Sequence, residues 1–394
     1  MNLLFVTPRL PYPPLKGDQV VSYHRLRTLS QRHKITLLTF YETASELENL
    51  KQLDCYCDAI YPIQLSKLQS LINVGKGIFC SKLPLQVNYY YSKKLKKYFD
   101  TIFKSSDFDL IHIFLMRMAP YFHQISTPKK IELIDSMELN LERRLTLEPL
   151  PQRWLFQEEL RRVIDYEQIL CDLFDCVVVV SKKDKDIISN QKVEVIPNGI
   201  DTQLFTAQQN APPYSTIIFS GNMSYAPNIH AVKWFVKKCL PIIQQSISEV
   251  SLIIAGVNPA QEVCSLGEVP GVKVIGYVTS MSETLKQANV AIAPMQSGSG
   301  IQNKILEAMA SELPVITTTL GLGSLKAKPG QEISVADSPE SFAEITITLL
   351  QNRKLAKEIG HQARKFVIDY HSWETAANQI ENLYTQIVSK NFSA

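Results

Sequence analysis

Residues 297–317 read S-G-S-G-I-Q-N-K-I-L-E-A-M-A-S-E-L-P-V-I-T. The first four are small, so main-chain N–H groups there can approach a ligand with no side chain between. A helix starts after them, and the free N–H groups and positive dipole end of a helix N-terminus suit phosphate. Lys304 and Glu307 are three positions apart and share one face of that helix. The pair would set a cation beside a phosphate and a carboxylate beside hydroxyls. Pro314 stops the helix, and residues 315–317 open a buried strand. Loop, helix and strand in that order make one step of a parallel α/β sheet.

The same alternation runs through the chain. Strands read at 2–6, 35–40, 110–114, 131–134, 176–180 and 193–196, and again at 216–219, 251–255, 272–275, 290–293 and 315–317. The two halves begin alike, with an apolar strand, a loop and a helix (20–32 in the first, 228–238 in the second). Short apolar strands spaced by amphipathic helices indicate parallel sheets covered on both faces. The expected fold class is therefore α/β, with two Rossmann-like doubly wound domains in tandem. Pro197-Asn198-Gly199 is a turn signal and sets the boundary, giving domains at 1–197 and 198–371. Residues 372–389 read as an amphipathic helix.

A chain of 394 residues with 45% hydrophobic content can bury two cores. Its 20% charged residues and net charge of +3 argue against a disordered chain and a nucleic-acid binder. The basic excess sits early: residues 1–197 hold 27 Lys and Arg against 23 Asp and Glu, the remainder 14 against 15. Seven scattered cysteines, with only Cys55-x-Cys57 as a pair, read as reduced thiols in a reducing compartment. The first apolar run is too short for a signal peptide, and none reaches the roughly 18 residues of a membrane span. The expectation is a cytoplasmic protein whose contact with any membrane is peripheral.

G-I-Q-N-K-I-L-E-A-M-A at 300–310, with N-G-I-D at 198–201 followed by Phe205, resembles the retaining glycosyltransferases of family 4, the glycosyl transferases group 1. Sugar transferases of bacterial exopolysaccharide clusters are similar. The resemblance spans nearly the whole chain and is densest over 196–373. It implies the GT-B fold, two Rossmann-like domains facing each other across a cleft, with helix 372–394 crossing back onto the first. The first domain would bind a glycan or lipid-linked acceptor, and the second a UDP- or GDP-sugar, at the inner face of the plasma membrane. It implies no cofactor and no metal, the nucleotide sugar being a substrate.

The resemblance places the donor on three loops. These are Gly221 and Asn222; Gly276, Tyr277 and Val278; and Ser299, Gly300, Ile301, Gln302 and Asn303 with Lys304 and Glu307. Two departures matter. Where many members carry an Arg and a Lys after the first strand, this chain has Asn222 and a neutral run to Asn228, so the cationic role falls on Lys304 and the helix N-terminus. The family pattern E-x7-E has its second glutamate at Glu307, but its first falls on Ser299, which leaves the donor sugar open. A dinucleotide reading of G-S-G-I-Q-N is weak, with Asn303 at the third glycine and Thr317–Thr319 where an acidic residue is needed.

On the acceptor side the loop 8–18 carries four prolines, and Arg9, Tyr12, Gly17 and Asp18 are its candidate contacts. His112 is a catalytic candidate that either faces the acceptor or is a satisfied core histidine, and Arg117 after it is a candidate acceptor contact. Asp135 stands where many members carry a histidine; it could take the acceptor's proton or only orient a substrate. Retention in the family routes that proton to the leaving phosphate, so Lys304 counts as catalytic by stabilising the departing charge. Residues 89–99, Y-Y-Y-S-K-K-L-K-K-Y-F, suit an anionic membrane surface or a solvated basic helix. A GT-B nucleotide-sugar epimerase or hydrolase, and a non-catalytic sugar-nucleotide-binding partner, remain as alternatives.

Overall fold

The computed structural model describes residues 1–145, 150–207, 212, 215–297 and 302–392. The chain divides into two compact units, Met1–Asn198 with Ala376–Ala394, and Gly199–Thr375.

The first unit holds β1 (Asn2–Thr7), β2 (Lys34–Tyr41), β3 (Ala59–Gln64), β4 (Leu110–Phe114), β5 (Lys129–Ile134), β6 (Cys176–Val179) and β7 (Val193–Val195). Its helices are α1 (Gly17–Leu29), α2 (Lys67–Cys80), α3 (Leu85–Tyr89), α4 (Lys93–Ser105), α5 (Met137–Leu145), α6 (Leu150–Leu173) and α7 (Lys182–Ile188). All strands are parallel, in the order β3-β2-β1-β4-β5-β6-β7. The central strands β1 and β4 are buried almost throughout, as a sheet covered on both faces requires. Strand order reverses between β1 and β4, and ligands of such sheets lie outside the strand ends at that point.

The second unit holds β8 (Thr216–Ser220), β9 (Ser251–Ala255), β10 (Val272–Gly276), β11 (Val290–Ala293), β12 (Val315–Thr317) and β13 (Ser334–Val335). Between and after them come α8 (Ala226–Trp234), α9 (Leu240–Ser246), α10 (Gln261–Cys264), α11 (Met281–Leu285), α12 (Asn303–Ala310), α13 (Thr319–Leu322), α14 (Pro339–Gln351) and α15 (Arg353–His371). This sheet is also parallel, ordered β10-β9-β8-β11-β12-β13, with its reversal between β8 and β11.

Helix α16 (Trp373–Phe392) joins the first unit from Ala376 onward. Its Tyr384 is fully buried and its hydroxyl lies 2.6 Å from His112 Nδ1. Glu381 pairs with Arg32 and with His33, 2.7 Å from His33 Nε2.

That arrangement corrects the reading of His112 as a catalytic residue facing the acceptor. The ring is wholly buried between Phe5 and Phe114, at 4.6 and 4.4 Å between centroids. Its Nε2 is 3.1 Å from Glu132 Oε2, and Glu132 also meets Lys130 at 3.0 Å and Arg25 at 3.2 Å. Burial and the charge of Lys130 hold His112 down to about 3, so it is neutral. Burial alone would raise Glu132, but Arg25 and Lys130 outweigh it and keep it well below the carboxylate range. His112 is thus the satisfied core histidine.

The stretch 89–99 is not one helix. Tyr89 closes α3, and Ser92 caps α4, its hydroxyl accepting Leu95 N at 3.3 Å. Tyr90 and Phe99 are buried, while Tyr91 and Tyr98 are exposed. Among the described residues no helix is long and apolar enough to cross a membrane.

Candidate functional site

In the second unit, three adjacent strands each run into a glycine with positive φ: Gly221 after β8 (φ 149°), Gly256 after β9 (φ 148°) and Gly276 closing β10 (φ 62°). They are knitted together, Gly221 N donating to Ala255 O (3.0 Å) and Gly256 N to Gly276 O (2.7 Å). A Cβ on Gly256 would lie 1.6 Å from the Gly221 carbonyl oxygen. Gly256 is thus buried against Gly221, while Gly221 and Gly276, half-buried, carry no side chain over the main chain where β8 and β10 end.

Lys304, one residue into α12, reaches the same place. A Cβ on Gly221 would lie 3.4 Å from its Nζ. Nζ donates to Asn228 Oδ1 and sits 4.6 Å over the Phe219 ring. Asn228 in turn donates to the Asn222 carbonyl at 2.9 Å. Burial pulls Lys304 down to about 8 against the pull of Glu307, and burial pushes Glu307 up to about 7 against Lys304. An ammonium that has shed much of its water gains more from an incoming anion. A half-buried carboxyl that titrates near neutrality is suited to hydroxyl partners. Tyr277 is 71% exposed, and Val278 packs on the core. Gln302 is the N-cap of α12 and Asn303 its first residue. Ser299, Gly300 and Ile301 lie outside the described residues.

In the first unit, the loop after β1 and the loop after β4 meet on Tyr90. Arg9 donates to the Tyr90 hydroxyl at 3.1 Å and pairs with Asp18 at 3.3 Å. Arg117 reaches the same hydroxyl at 3.4 Å, its guanidinium 5.0 Å over the ring. Arg117 Nε is buried without a hydrogen bond, and the buried Asp18 Oδ2 has its ion pair with Arg9 but no hydrogen bond. Tyr12 packs against Tyr23 at 5.6 Å, and Gly17 is exposed with open space around it.

Asp135 is exposed just past β5, on a strained bend. Ile134 has φ 70°, and Asp135 N donates back to Leu133 O at 3.0 Å, closing a three-residue turn. Two buried carboxylates hold it. Glu167 of α6 accepts from Met137 N (2.8 Å) and Ser136 Oγ (3.1 Å), and Asp184 of α7 accepts from Ser136 N (3.0 Å). Burial pushes Glu167 up to about 7, with those hydrogen bonds opposing.

Residues 16–204 match the family model Glycosyltransferase Family 4, and residues 214–352 match Glycosyl transferases group 1. The chain is a GT-B glycosyltransferase. The enzyme is similar over 93% of its length, at 23% identity, to a protein of Klebsiella pneumoniae described as an uncharacterized 44.6 kDa protein in the cps region, of which it covers 95%. It is 21% identical to the MMP alpha-(1->4)-mannosyltransferase of Mycolicibacterium hassiacum, over 69% of this chain and 66% of that one. Among solved structures, TarM superposes with a TM-score of 0.65 at 12% identity, covering 97% of this chain and 98% of that one. Anabaena HepE in complex with UDP-glucose gives 0.62 at 15% identity, covering 98% and 100%.

Of the residues read from the glycosyltransferase's sequence, the structure gathers Gly221, Asn222 and Lys304 in one cluster, with Gly276 linked to it through Gly256. It gathers Asp18 and Arg117 in another, through Arg9 and Tyr90. Sequence reasoning gave no site role to Gly256, Tyr90, Asn228 or Glu167. Only Gly256 left a signal, an A-G-V-N run at the end of a strand.

Proposed function

We propose that the enzyme moves a sugar from a UDP- or GDP-sugar to a glycan or lipid-linked acceptor with retention, in the synthesis of a cell-surface polysaccharide or glycoconjugate. The observation that carries the reading is the partly desolvated Lys304 ammonium beside the bare backbone of Gly221. Its support is that ligands of doubly wound sheets lie outside the strand ends. In this reading Lys304, Gly221 and the α12 N-terminus, with Ser299, Gly300, Ile301, Gln302 and Asn303, hold the diphosphate. Glu307 accepts from ribose hydroxyls, and Gly276, Tyr277 and Val278 hold the base. Asn222, beside Gly221, joins it in holding the donor.

Tyr12, Gly17, Asp18 and Arg117 contact the acceptor, and Asp135 takes its proton or orients it. The sugar–phosphate bond breaks as the acceptor oxygen bonds to the anomeric carbon. The acceptor proton passes to the leaving diphosphate, directly or by way of Asp135, and Lys304 stabilises the departing charge. The reading assigns that stabilisation to protein groups and asks for no metal. It sets the enzyme in the cytoplasm, in peripheral contact with the inner face of the plasma membrane, where lipid-linked acceptors are presented.

The test is a thermal-shift screen against UDP, GDP, ADP and their sugars, with NAD and NADP as controls. A ligand of the folded state raises the melting temperature by mass action. A shift with UDP or GDP and their sugars is expected; a shift with NAD alone, or none, would overturn the reading. Donor consumption without an acceptor would instead favour an epimerase or hydrolase.

A further inference from the structure

Helix α2 is packed with its apolar side outward. Leu68, Leu71, Ile72 and Phe79 share one face of it, and they are 71%, 64%, 44% and 88% exposed. Small residues face inward instead: Ser70 and Gly77 are buried, and a Cβ on Gly77 would lie 2.8 Å from the Asn88 side chain. A surface helix normally buries its apolar stripe.

The reversal is pinned at two points. Asn73 donates to the Tyr91 carbonyl at 2.8 Å, one residue before the cap of α4. Arg162 of α6, itself buried, donates to the Gly77 carbonyl at 2.9 Å and the Ile78 carbonyl at 3.0 Å, fixing the last turn. The helix cannot roll its apolar face inward without breaking these bonds.

The segment that carries it is basic. Residues 67–104 contain eight lysines and one aspartate and no other charged side chain, against a net +3 for the whole chain. Lys93, Lys94 and Lys97 on α4 are exposed. A symmetric pair of chains meeting through this face would set lysines against lysines. An anionic bilayer offers the opposite charge and an apolar layer just beneath it.

We propose that α2, with the lysines of α4, is a docking surface for an anionic lipid bilayer. Leu68, Leu71, Ile72 and Phe79 enter the boundary between headgroups and acyl chains, and the lysines meet lipid phosphates. This deepens the reading of a membrane-face enzyme and rests on it only for where the acceptor is presented.

The test is flotation of the full chain with vesicles of phosphatidylcholine alone, or mixed equally with phosphatidylglycerol. Binding to the mixed vesicles, weakened by salt and absent with phosphatidylcholine alone, is expected. A Leu71→Glu, Phe79→Glu double variant and a Lys93→Gln, Lys94→Gln, Lys97→Gln triple variant should each bind roughly tenfold or more weakly, with unchanged melting temperature. Wild-type protein that stays off anionic vesicles, or variants that float like wild type, would overturn the proposal. A wild-type dimer in light scattering that the double variant abolishes would overturn it too, and assign the face to a second copy. Calorimetry with UDP and GDP on the same proteins separates the two readings. Loss of nucleotide binding in all of them sinks the donor assignment and leaves the docking surface standing.

Discussion

The two sheets end their strands in opposite ways. In the second unit the chain leaves β8, β9 and β10 through glycines, whose positive φ carries no steric cost. In the first unit the bends after β4 and β5 fall on Leu115 (φ 65°) and Ile134 (φ 70°), where a side chain makes such a conformation costly by about 1–3 kcal/mol each. Glycine clears main chain for a ligand to touch. A leucine or isoleucine in the same conformation clears nothing, but it re-aims the residues just beyond it: Arg117 after Leu115, Asp135 after Ile134. One unit is shaped to present backbone and the other to present side chains. That division is the one the proposed function asks for: N–H groups and a cation for a diphosphate, placed polar groups for an acceptor.

The largest effect should come from filling the glycine stair. Gly256→Ala puts a methyl group 1.6 Å from a carbonyl oxygen, and should destabilise the second unit by more than about 4 kcal/mol. A melting temperature within a few degrees of the parent's would break the contrast.

Next comes the cation beside the stair. Lys304→Ala should weaken UDP or GDP binding by roughly 100-fold, as for a desolvated charged hydrogen bond, read by calorimetry. With Lys304 near 8 in the free enzyme, affinity for the diphosphate should fall by up to about tenfold per pH unit above that value. Lys304→Arg should flatten the slope, because guanidinium stays charged. An unchanged slope would remove Lys304 from the phosphate site.

The third change loosens the side-chain-bearing bend. Glu167→Ala should lower transfer by about tenfold and leave nucleotide affinity intact, since orientation is what it supplies. Glu167 binds its proton more tightly folded than unfolded, so its ionisation costs stability as pH rises from about 4.5 to about 7. Glu167→Gln should flatten stability against pH over that window, a readout that a loss of packing alone does not produce. The smallest effect is expected for Leu115→Gly, where relief of strain offsets the lost half-buried side chain to within about 1 kcal/mol. A large loss in denaturant melts would mean that the Leu115 bend stores no strain.

Most of both sheets was legible because buried parallel strands are short apolar runs. The two strands that escaped did so for physical reasons. β3 carries Pro62, which lacks a ladder donor and marks an edge strand, and β3 is the edge. β13 has two residues, too few for any period. Lys304 and Glu307 could be read because helical spacing is local. His112 could not be decided, since the cluster around it draws Arg25 from α1, Lys130 and Glu132 from β5 and Tyr384 from α16. Glu167 left no trace for the same reason: the turn it holds is 30 residues away. The apolar pattern of α2 was visible as letters, but only packing shows which way it faces.

The hydroxyl of Tyr384 against His112 also sets an order of assembly. A ribosome must add roughly 190 residues after Pro197 before Tyr384 exists, which takes about 10–40 s at ordinary rates of synthesis. Through that interval, in which the second unit is made, the charged centre of the first sheet lacks its cover. The part of the enzyme made first is therefore the part finished last, and the nascent first unit is where a chaperone would have most to do.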